Sequence, residues 1–567
     1  MRKQILSLIA VILSMLLLCS CRYPGTISEV TEVVDEKIIG GESENTDSSN
    51  ADEKSSEEDS LSEDNSYQES IPQDNTSTEN SSTNTENDDT DDNKKNEVVD
   101  LNIGEIVPEG NTAILMVDVK GKSDSQAEAM RKEILNSKDN LKIKGKTYYI
   151  SSKNGNDDND GLTPKTAWAT ADAIDVNSYL INEGDAVLFE RGCIYRPTSQ
   201  IFCRNGITFG AYGSGYKPVI YGSVENYSKA GYWQPSTKKN VWKLSLALED
   251  AGIIVFNHGK EVGYKQGGLL ALSKNGDFYH NVSENVLYLY LDKGRPNQVY
   301  KDIEIGTRRA VFTIPMGVSD VTIDNICMKY SGNFGVQAIG GHENITISNC
   351  EIGWIGGSYW EDGKTERYGN GIQFWDDAKD TTVENCWVYQ CYDTGLTFQG
   401  SYYAIYDNVK FIDNLLEYHV MSIEFWNQET PVTVNKHGHM EDIEISGNIC
   451  RFAGYGWGNQ RPNPQTTCHI AGGVNYMYHI NSMLISDNIF DLSTHSLFNW
   501  GYGDFQTYGA DSDIVMKNNS YYQGKCSGNK VLSFPGQKGY LTATNQSEFE
   551  AAVKKIEANP NKVAWVG

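Results

Sequence analysis

Seven short segments decide the fold: Val321-Thr322-Ile323-Asp324-Asn325-Ile326, Ile345-Thr346-Ile347-Ser348-Asn349-Cys350, Thr381-Thr382-Val383-Glu384-Asn385-Cys386, Phe411-Ile412-Asp413-Asn414-Leu415, Ile443-Glu444-Ile445-Ser446-Gly447-Asn448-Ile449, Leu484-Ile485-Ser486-Asp487-Asn488-Ile489 and Ile514-Val515-Met516-Lys517-Asn518-Asn519. Each alternates as a half-buried strand does and closes on Asn. The spacings between those Asn residues are 24, 36, 29, 34, 40 and 31. A solenoid tolerates such irregular spacing, because each coil contacts only its neighbours and loops of any length leave at the corners. Asn suits a stacked turn: it accepts left-handed backbone, and its amide can both donate to and accept from the next Asn along the axis. An up-and-down antiparallel barrel predicts no such recurring turn residue.

A second strand series lies between the Asn turns: Gly371-Ile372-Gln373-Phe374-Trp375, Gly395-Leu396-Thr397-Phe398-Gln399 and Ser422-Ile423-Glu424-Phe425-Trp426. Alternation puts Ile372, Leu396 and Ile423, with Phe374, Phe398 and Phe425, on the core face. The other face presents Gln373, Thr397 and Glu424 in one column and Trp375, Gln399 and Trp426 in the next. Neighbouring strands are about 4.8 Å apart, so a carboxylate and two indoles form one compact surface. Sugar rings stack well on exposed indoles, and solvent-facing tryptophans are costly unless something covers them.

Acids surround this surface: Asp393 in the turn before Leu396, Asp376 and Asp377 after Trp375, and Glu361, Asp362 and Glu366 in the preceding loop. Glycosidic hydrolysis needs a carboxylic acid to protonate the leaving oxygen and a second carboxylate as nucleophile or base. Asp393 and Glu424 are the expected catalytic pair. In strict register Asp393 sits four positions before the residue beside Glu424, more than about 10 Å along the strand, so the turn at Asp393 must curl inward. The alternative partners are Asp362, Glu366 and Asp377.

Downstream, Arg461 in Gly458-Asn459-Gln460-Arg461-Pro462 and His469 in Thr467-Cys468-His469-Ile470-Ala471 are the basic candidates. Arg461 is suited to clamp a uronate carboxylate in two-point fashion, and His469 to shuttle a proton. Asp376, Asp377 and Asp380 could hold Ca²⁺ in a lyase, although Asp376-Asp377-Ala378-Lys379-Asp380 also reads as an ordinary polar turn. For a hydrolase no cofactor is expected.

The remainder of the chain sets domain limits and compartment. Residues 41–100 hold 20 Asp or Glu against 3 Lys, a net of −17 out of −28 for the chain, with Ser, Thr and Asn filling most of the rest. Such a stretch cannot bury enough apolar surface to offset its chain entropy. Residues 21–100 are therefore read as a disordered tether, with a span of roughly 40–50 Å for sixty residues. The folded part is only mildly acidic, and nothing points to nucleic acid. Residues 101–145 form a lead-in or cap with an amphipathic helix after Ser123 or Asp124, and 146–540 form the solenoid. Within it, 227–305 change texture to alternating hairpin strands such as Val286-Leu287-Tyr288-Leu289-Tyr290-Leu291. This insertion is either a wall of a binding groove or a structural elaboration. Residues 541–567 include a helix-like run, Ser547 to Ala558, expected to cap the open end. Cys327, Cys350, Cys386 and Cys450 lie beside the Asn positions, where they read as small buried hydrophobes, and no CxxC metal spacing is present.

Two resemblances add to this reading. Met1-Arg2-Lys3, the apolar run Ile5 to Leu18, and Leu18-Cys19-Ser20-Cys21 resemble a bacterial lipoprotein signal. That implies a signal peptide over 1–20, acylation of Cys21, and anchoring at the outer face of the bacterial cell membrane. Tyr148-Tyr149-Ile150-Ser151, Asn154-Gly155-Asn156-Asp157-Asp158-Asn159-Asp160-Gly161, Gly184-Asp185-Ala186-Val187-Leu188-Phe189 and Gly206-Ile207-Thr208-Phe209-Gly210-Ala211-Tyr212 resemble the opening turns of secreted proteins of the pectate-lyase-like superfamily, over roughly 146–525. The resemblance implies a right-handed parallel β-helix. It leaves the substrate open, because lyases, hydrolases, epimerases and adhesins share that architecture. The Asn-Thr-Asp and His-Gly motifs of polygalacturonases find no match in the strand series, which argues against that family. The expected function is a cell-surface glycoside hydrolase acting on a polysaccharide; the alternatives are a Ca²⁺-assisted lyase using Arg461 or His469 and a non-catalytic glycan-binding or adhesive protein.

Overall fold

The computed structural model describes residues 119–139, 141–400, 403–427, 438–461, 467–472, 479–500, 513–535 and 539–566. The expected signal peptide, Cys21 and the tether lie outside the described residues.

The chain is a right-handed parallel β-helix whose coils each give one strand to three parallel sheets. One coil runs Val321–Asp324, Cys327–Ser331, Val336–Ile339, and the next Ile345–Ser348, Glu351–Ile355, Ile372–Trp375. The first strands of successive coils make an Asn-turn sheet, the second a flank sheet, and the third a platform sheet that includes Thr394–Gly400, Met421–Asn427, Cys468–Gly472 and Phe498–Asn499. Apolar residues stack through the interior: Ile323, Ile347, Val383, Phe411, Ile445 and Ile485 from the first sheet, and Ile372, Leu396, Ile423 and Ile470 from the third, are all buried. Phe398 and Phe425 stack face to face at 5.3 Å. Each such side chain contributes about 1.5–3 kcal/mol, and the coil period is set by stacking them.

The recurring Asn turns out to serve two adjacent columns. Register carries Ser348 to Glu384, Ile412, Ser446, Ser486 and Lys517. The next residue of each coil, Asn325, Asn349, Asn385, Asp413, Gly447, Asp487 and Asn518, has φ between 50° and 68°, the left-handed region that favours Asn, Asp and Gly. One position further, Asn414, Asn448, Asn488 and Asn519 point inward as a buried amide ladder. Each Nδ2 donates to the next Asn Oδ1 at 3.0 Å, and the ladder ends on the Glu557 carboxylate. Cys350 and Cys386 continue this column toward the N-terminus, and the Cys386 N–H donates to Asn414 Oδ1 at 3.0 Å. The spacing of 29 between Asn385 and Asn414 therefore crosses columns; the coil itself, Asn385 to Asp413, is one residue shorter. All nine described cysteines are buried and unpaired.

The helix Asp124–Leu135 lies along the outside of the flank sheet, rather than over an end of the solenoid. Ala127 and Ile134 pack with Trp387, Leu415 and Ile449, and Arg131 pairs with buried Glu417 at 2.8 Å. Ser123 is the N-cap residue, as expected, but its side chain makes no capping bond; its hydroxyl donates to Asp491 at 2.6 Å instead. Helix Gln546–Val553 buries Phe549, Ala552 and Val553, and Lys562–Val566 adds a parallel strand beyond Ser520–Gly524.

The insertion leaves the solenoid between Val219–Tyr221 of the flank sheet and Phe312–Ile314 of the platform sheet. It forms a five-stranded sheet and an antiparallel three-stranded one, with its own core of Trp233, Leu244, Phe256, Phe278, Leu287 and Leu289. It thus occupies the corner where, in later coils, the chain also passes Tyr392-Asp393 and Arg461. Just before that corner every coil from 330 to 492 carries one bulky residue at positive φ: Tyr330, Trp354, Gln390, Tyr418, Phe452 and Leu492. Each costs about 1–2 kcal/mol, strain of the kind that collects beside functional sites.

Candidate active site

The platform register pairs Gln373, Thr397, Glu424 and Ala471 in one row, and Trp375, Gln399 and Trp426 in the next. The two indoles, two strands apart, lean together over Gln399 into an edge-to-face contact with centroids 5.5 Å apart. Both remain partly exposed, while Gln373, Thr397 and Gln399 are buried as a polar floor. Gln373 Oε1 accepts from Asn370 at 2.8 Å and from Gln399 at 3.2 Å. Thr397 Oγ1 and Gln399 Oε1 find no hydrogen-bond partner among the described residues. These three side chains were expected to face solvent and are buried instead.

Glu424 stands at the edge of this floor. Its side chain bends back along the strand, away from its register partner Thr397, and accepts from Thr394 Oγ1 at 3.3 Å. The bend brings it beside the Asp393 turn, supplying the inward approach that strict register denied. Asp393 curls over the corner: its carbonyl accepts from the N–H groups of Val420 and Met421 at 3.0 and 3.1 Å, and its carboxylate is paired with the Arg461 guanidinium. Burial foremost, then the Asp393 charge, pushes the Glu424 carboxyl up to about 8, against the opposing pull of Arg461 and of hydrogen bonds from Thr394 and Trp426. The surroundings of Glu424 therefore favour the neutral acid, next to the Arg461-paired Asp393. Environments that separate two carboxyl groups in this way mark acid and base assignments.

Arg461 reaches the pair from the following coil. Its loop is docked on the corner: Gly458 is so close that a Cβ would meet the Tyr392 carbonyl at 2.5 Å. Gln460 Nε2 donates to Gly263 O of the insertion at 2.8 Å. Arg367 lies 4.3 Å over the Tyr392 ring and donates to Gly357 O at 2.7 Å and Gly252 O at 3.2 Å. The insertion therefore walls and braces the site. Thr394, Arg367, Tyr392 and Gln460 were not anticipated; the only sequence signal was the Tyr392-Asp393 adjacency in a turn.

Other expected residues are placed elsewhere. His469 is fully buried opposite Ser422, its Nδ1 3.0 Å from that hydroxyl, and burial pushes it down to about 3. Ala471, rather than His469, occupies the row of Glu424. Asp362 pairs with Arg308 at 2.8 Å on an exposed loop, and Glu366 accepts from Thr365 N in its own loop. Asp377 accepts from Ile405 N at 2.7 Å and Asp380 from Asn408 at 2.6 Å, so both serve turns, while Asp376 takes positive φ after Trp375. Among the described residues no three acids, histidines or cysteines form a metal-holding group.

No family model and no curated protein matches the chain. Among solved structures it is similar to XylC in complex with xylose (14% identity, 68% of this chain and 69% of that one, TM-score 0.37). It is also similar to a glycoside hydrolase (11%, 74% and 96%, TM-score 0.40) and to a hyperthermoactive exopolygalacturonase from Thermotoga maritima (10%, 73% and 97%, TM-score 0.31). Identities this low concern the fold, and the chemistry rests on the side chains.

Proposed function

We propose that the protein is a glycoside hydrolase acting on a polysaccharide, lipid-anchored through Cys21 at the outer face of the bacterial cell membrane. The observation that carries this reading is geometric: Glu424 is drawn back by Thr394 to the turn where Asp393 is ion-paired with Arg461, in surroundings that favour its neutral form. Glu424 protonates the leaving glycosidic oxygen; Asp393 acts as nucleophile, or as base for water. Trp375 and Trp426 offer the sugar an aromatic face at the edge of the same row. A lyase needs a base at this place. Arg461 is engaged in an ion pair with Asp393, and His469 is sealed in the core, so neither is suited to that task.

The test follows reducing ends and ultraviolet absorbance together while the purified protein meets a panel of plant, microbial and host polysaccharides. New reducing ends without absorbance support the hydrolase. Absorbance from an unsaturated product would replace it with a lyase, and silence in both channels across the panel would favour a binding protein.

A further inference from the structure

The insertion carries a buried ion pair where it meets the solenoid. Asp250 precedes the strand Ala251–Phe256, and Lys265 belongs to the short strand Tyr264–Lys265. Their side chains are 3% and 1% exposed. Lys265 Nζ donates to both carboxylate oxygens at 2.5 Å and to Ala251 O at 2.6 Å. Burial works against the ammonium charge, and the Asp250 carboxylate works for it. A buried ion pair adds little stability over an apolar pair of the same volume. What charged hydrogen bonds do supply is a fixed direction.

Here that direction is toward the excursion 356–371, which leaves the solenoid between Glu351–Ile355 and Ile372–Trp375. Asp250 Oδ2 accepts from Tyr359 N at 2.7 Å, the Asp250 carbonyl accepts from Ser358 Oγ at 3.0 Å, and Lys265 Nζ lies 4.1 Å over the Tyr359 ring. Ser358 and Tyr359 pair antiparallel with Tyr368 and Arg367. Arg367 reaches back to Gly252 O of the insertion, where a Cβ on Gly252 would lie 2.4 Å from Ser358 N. The return limb of this hairpin then makes two bonds to the candidate site. Gly369 O accepts from Asp393 N at 3.1 Å, and Asn370 Oδ1 accepts from Thr394 N at 3.0 Å. Asp393 is the Arg461-paired carboxylate, and Thr394 Oγ1 is the donor that draws Glu424 back. Two successive residues of one limb thus hold the backbone beside both acids, and Asp250 fixes the other limb. The insertion reaches the third charge as well, because Gly263, two residues before Lys265, accepts from Gln460, the neighbour of Arg461.

We propose that Asp250 and Lys265 are positioning residues for the Asp393–Glu424 corner: their ion pair fixes the hairpin that carries Gly369 and Asn370, and so sets how closely Asp393 and Glu424 approach. The proposal rests on the hydrolase reading for what the corner does. The charged groups that face Glu424 are Asp393 from the coil before it and Arg461 from the coil after it, with the buried Cys468 thiol also within electrostatic reach. A change at Asp250 or Lys265 therefore reaches Glu424 through the placement of that pair. A corner released from the hairpin opens to water and lets Asp393 recede, and both changes let Glu424 ionise more easily.

The test uses the full-length protein and two variants: Asp250→Leu with Lys265→Met, which removes both charges and strands neither, and Arg367→Gln, which frees the hairpin from Gly252. Each is compared with its own Glu424→Gln derivative by melting temperature from pH 4 to 9. The pH at which that difference stops growing reports the folded-state value of Glu424 and needs no substrate. The expected result is a fall of that pH by about one unit in both variants, tenfold in acid strength. On a cleaved polysaccharide, kcat should fall about tenfold while KM stays within about threefold. An unchanged limit in a variant that folds overturns the proposal, even where that variant melts lower, because the ion pair then only stabilises the fold. If the double variant does not fold, Arg367→Gln decides alone. Failure of both to fold also overturns it, since the contacts would then hold the domain rather than the corner. A shifted limit in a protein that cleaves no polysaccharide would sink the hydrolase reading and leave the placement of Glu424 by the ion pair standing.

Discussion

Replacing Glu424 by Gln removes the ionisation that the site opposes and keeps the neutral shape. In the folded protein Glu424 holds its proton up to about 8, against 4.5 for an ordinary glutamic acid. A folded-state value raised in this way contributes stability that is fully present below about 4.5. It is lost progressively as the pH rises to about 8, because only the unfolded chain ionises freely in that window. The gap is worth about 5 kcal/mol. Unfolding entropy is about 2.1 cal/mol/K per residue, so a folded part of about 450 residues loses roughly 1 °C of melting temperature per kcal/mol. Glu424→Gln should therefore track wild type near pH 4 and melt about 5 °C higher at pH 9, as scanning calorimetry at half-unit pH steps would show. Parallel melting curves from pH 4 to 9 would refute the reasoning, since they require a carboxyl no different from one in solvent.

The remaining predictions test other parts of the structure. Arg461→Met removes a charge that lowers the Glu424 value, so the alkaline limb of the pH–rate profile should move up while kcat falls; movement downward would contradict the placement of Arg461. Asn448→Ala breaks a ladder residue that accepts from Asn414 and donates to Phe411 O and Asn488. It should cost about 4 kcal/mol in denaturant unfolding, because buried donors and acceptors are left unpaired. Gly447 has φ of 68° with a Cβ position 2.0 Å from Asp413 Oδ1, so Gly447→Val should destabilise by at least about 1 kcal/mol more than Gly447→Asn. Trp426→Ala should raise KM more than it lowers kcat, measured on whichever polysaccharide the protein cleaves.

How much of this could be read from residues alone differs between fold and site. The solenoid was legible because coil stacking writes its period into the chain, and the assignments of Ile372, Phe374 and their register partners to the core face hold in the structure. The Asn columns were merged, because Asn satisfies both the left-handed turn and the inward ladder, and the two positions are adjacent. Only register separates Asn385, at positive φ, from Asn414, in the ladder. At the site, strand alternation placed Glu424 and the two indoles on one face. It could not foresee that Glu424 bends back toward Thr394, that the indoles close over Gln399, or that Arg461 returns from two coils further on onto Asp393. Those are side-chain and corner geometries, and loops of unequal length carry no period. His469 was read as a proton shuttle from its residue type alone; the register that sets Ala471 beside Glu424 turns His469 to the interior.

The central claim is that Asp393 and Glu424 act together on a glycosidic bond. It is tested most directly by measuring reducing-end release from a cleaved polysaccharide by wild type, Asp393→Asn and Glu424→Gln at pH 6, with each variant shown to bind the polymer as wild type does. General acid catalysis contributes about 10²–10⁴-fold, so the account predicts that each variant loses at least about a hundredfold in kcat. A variant that binds normally and cleaves within a few-fold of wild type would contradict it.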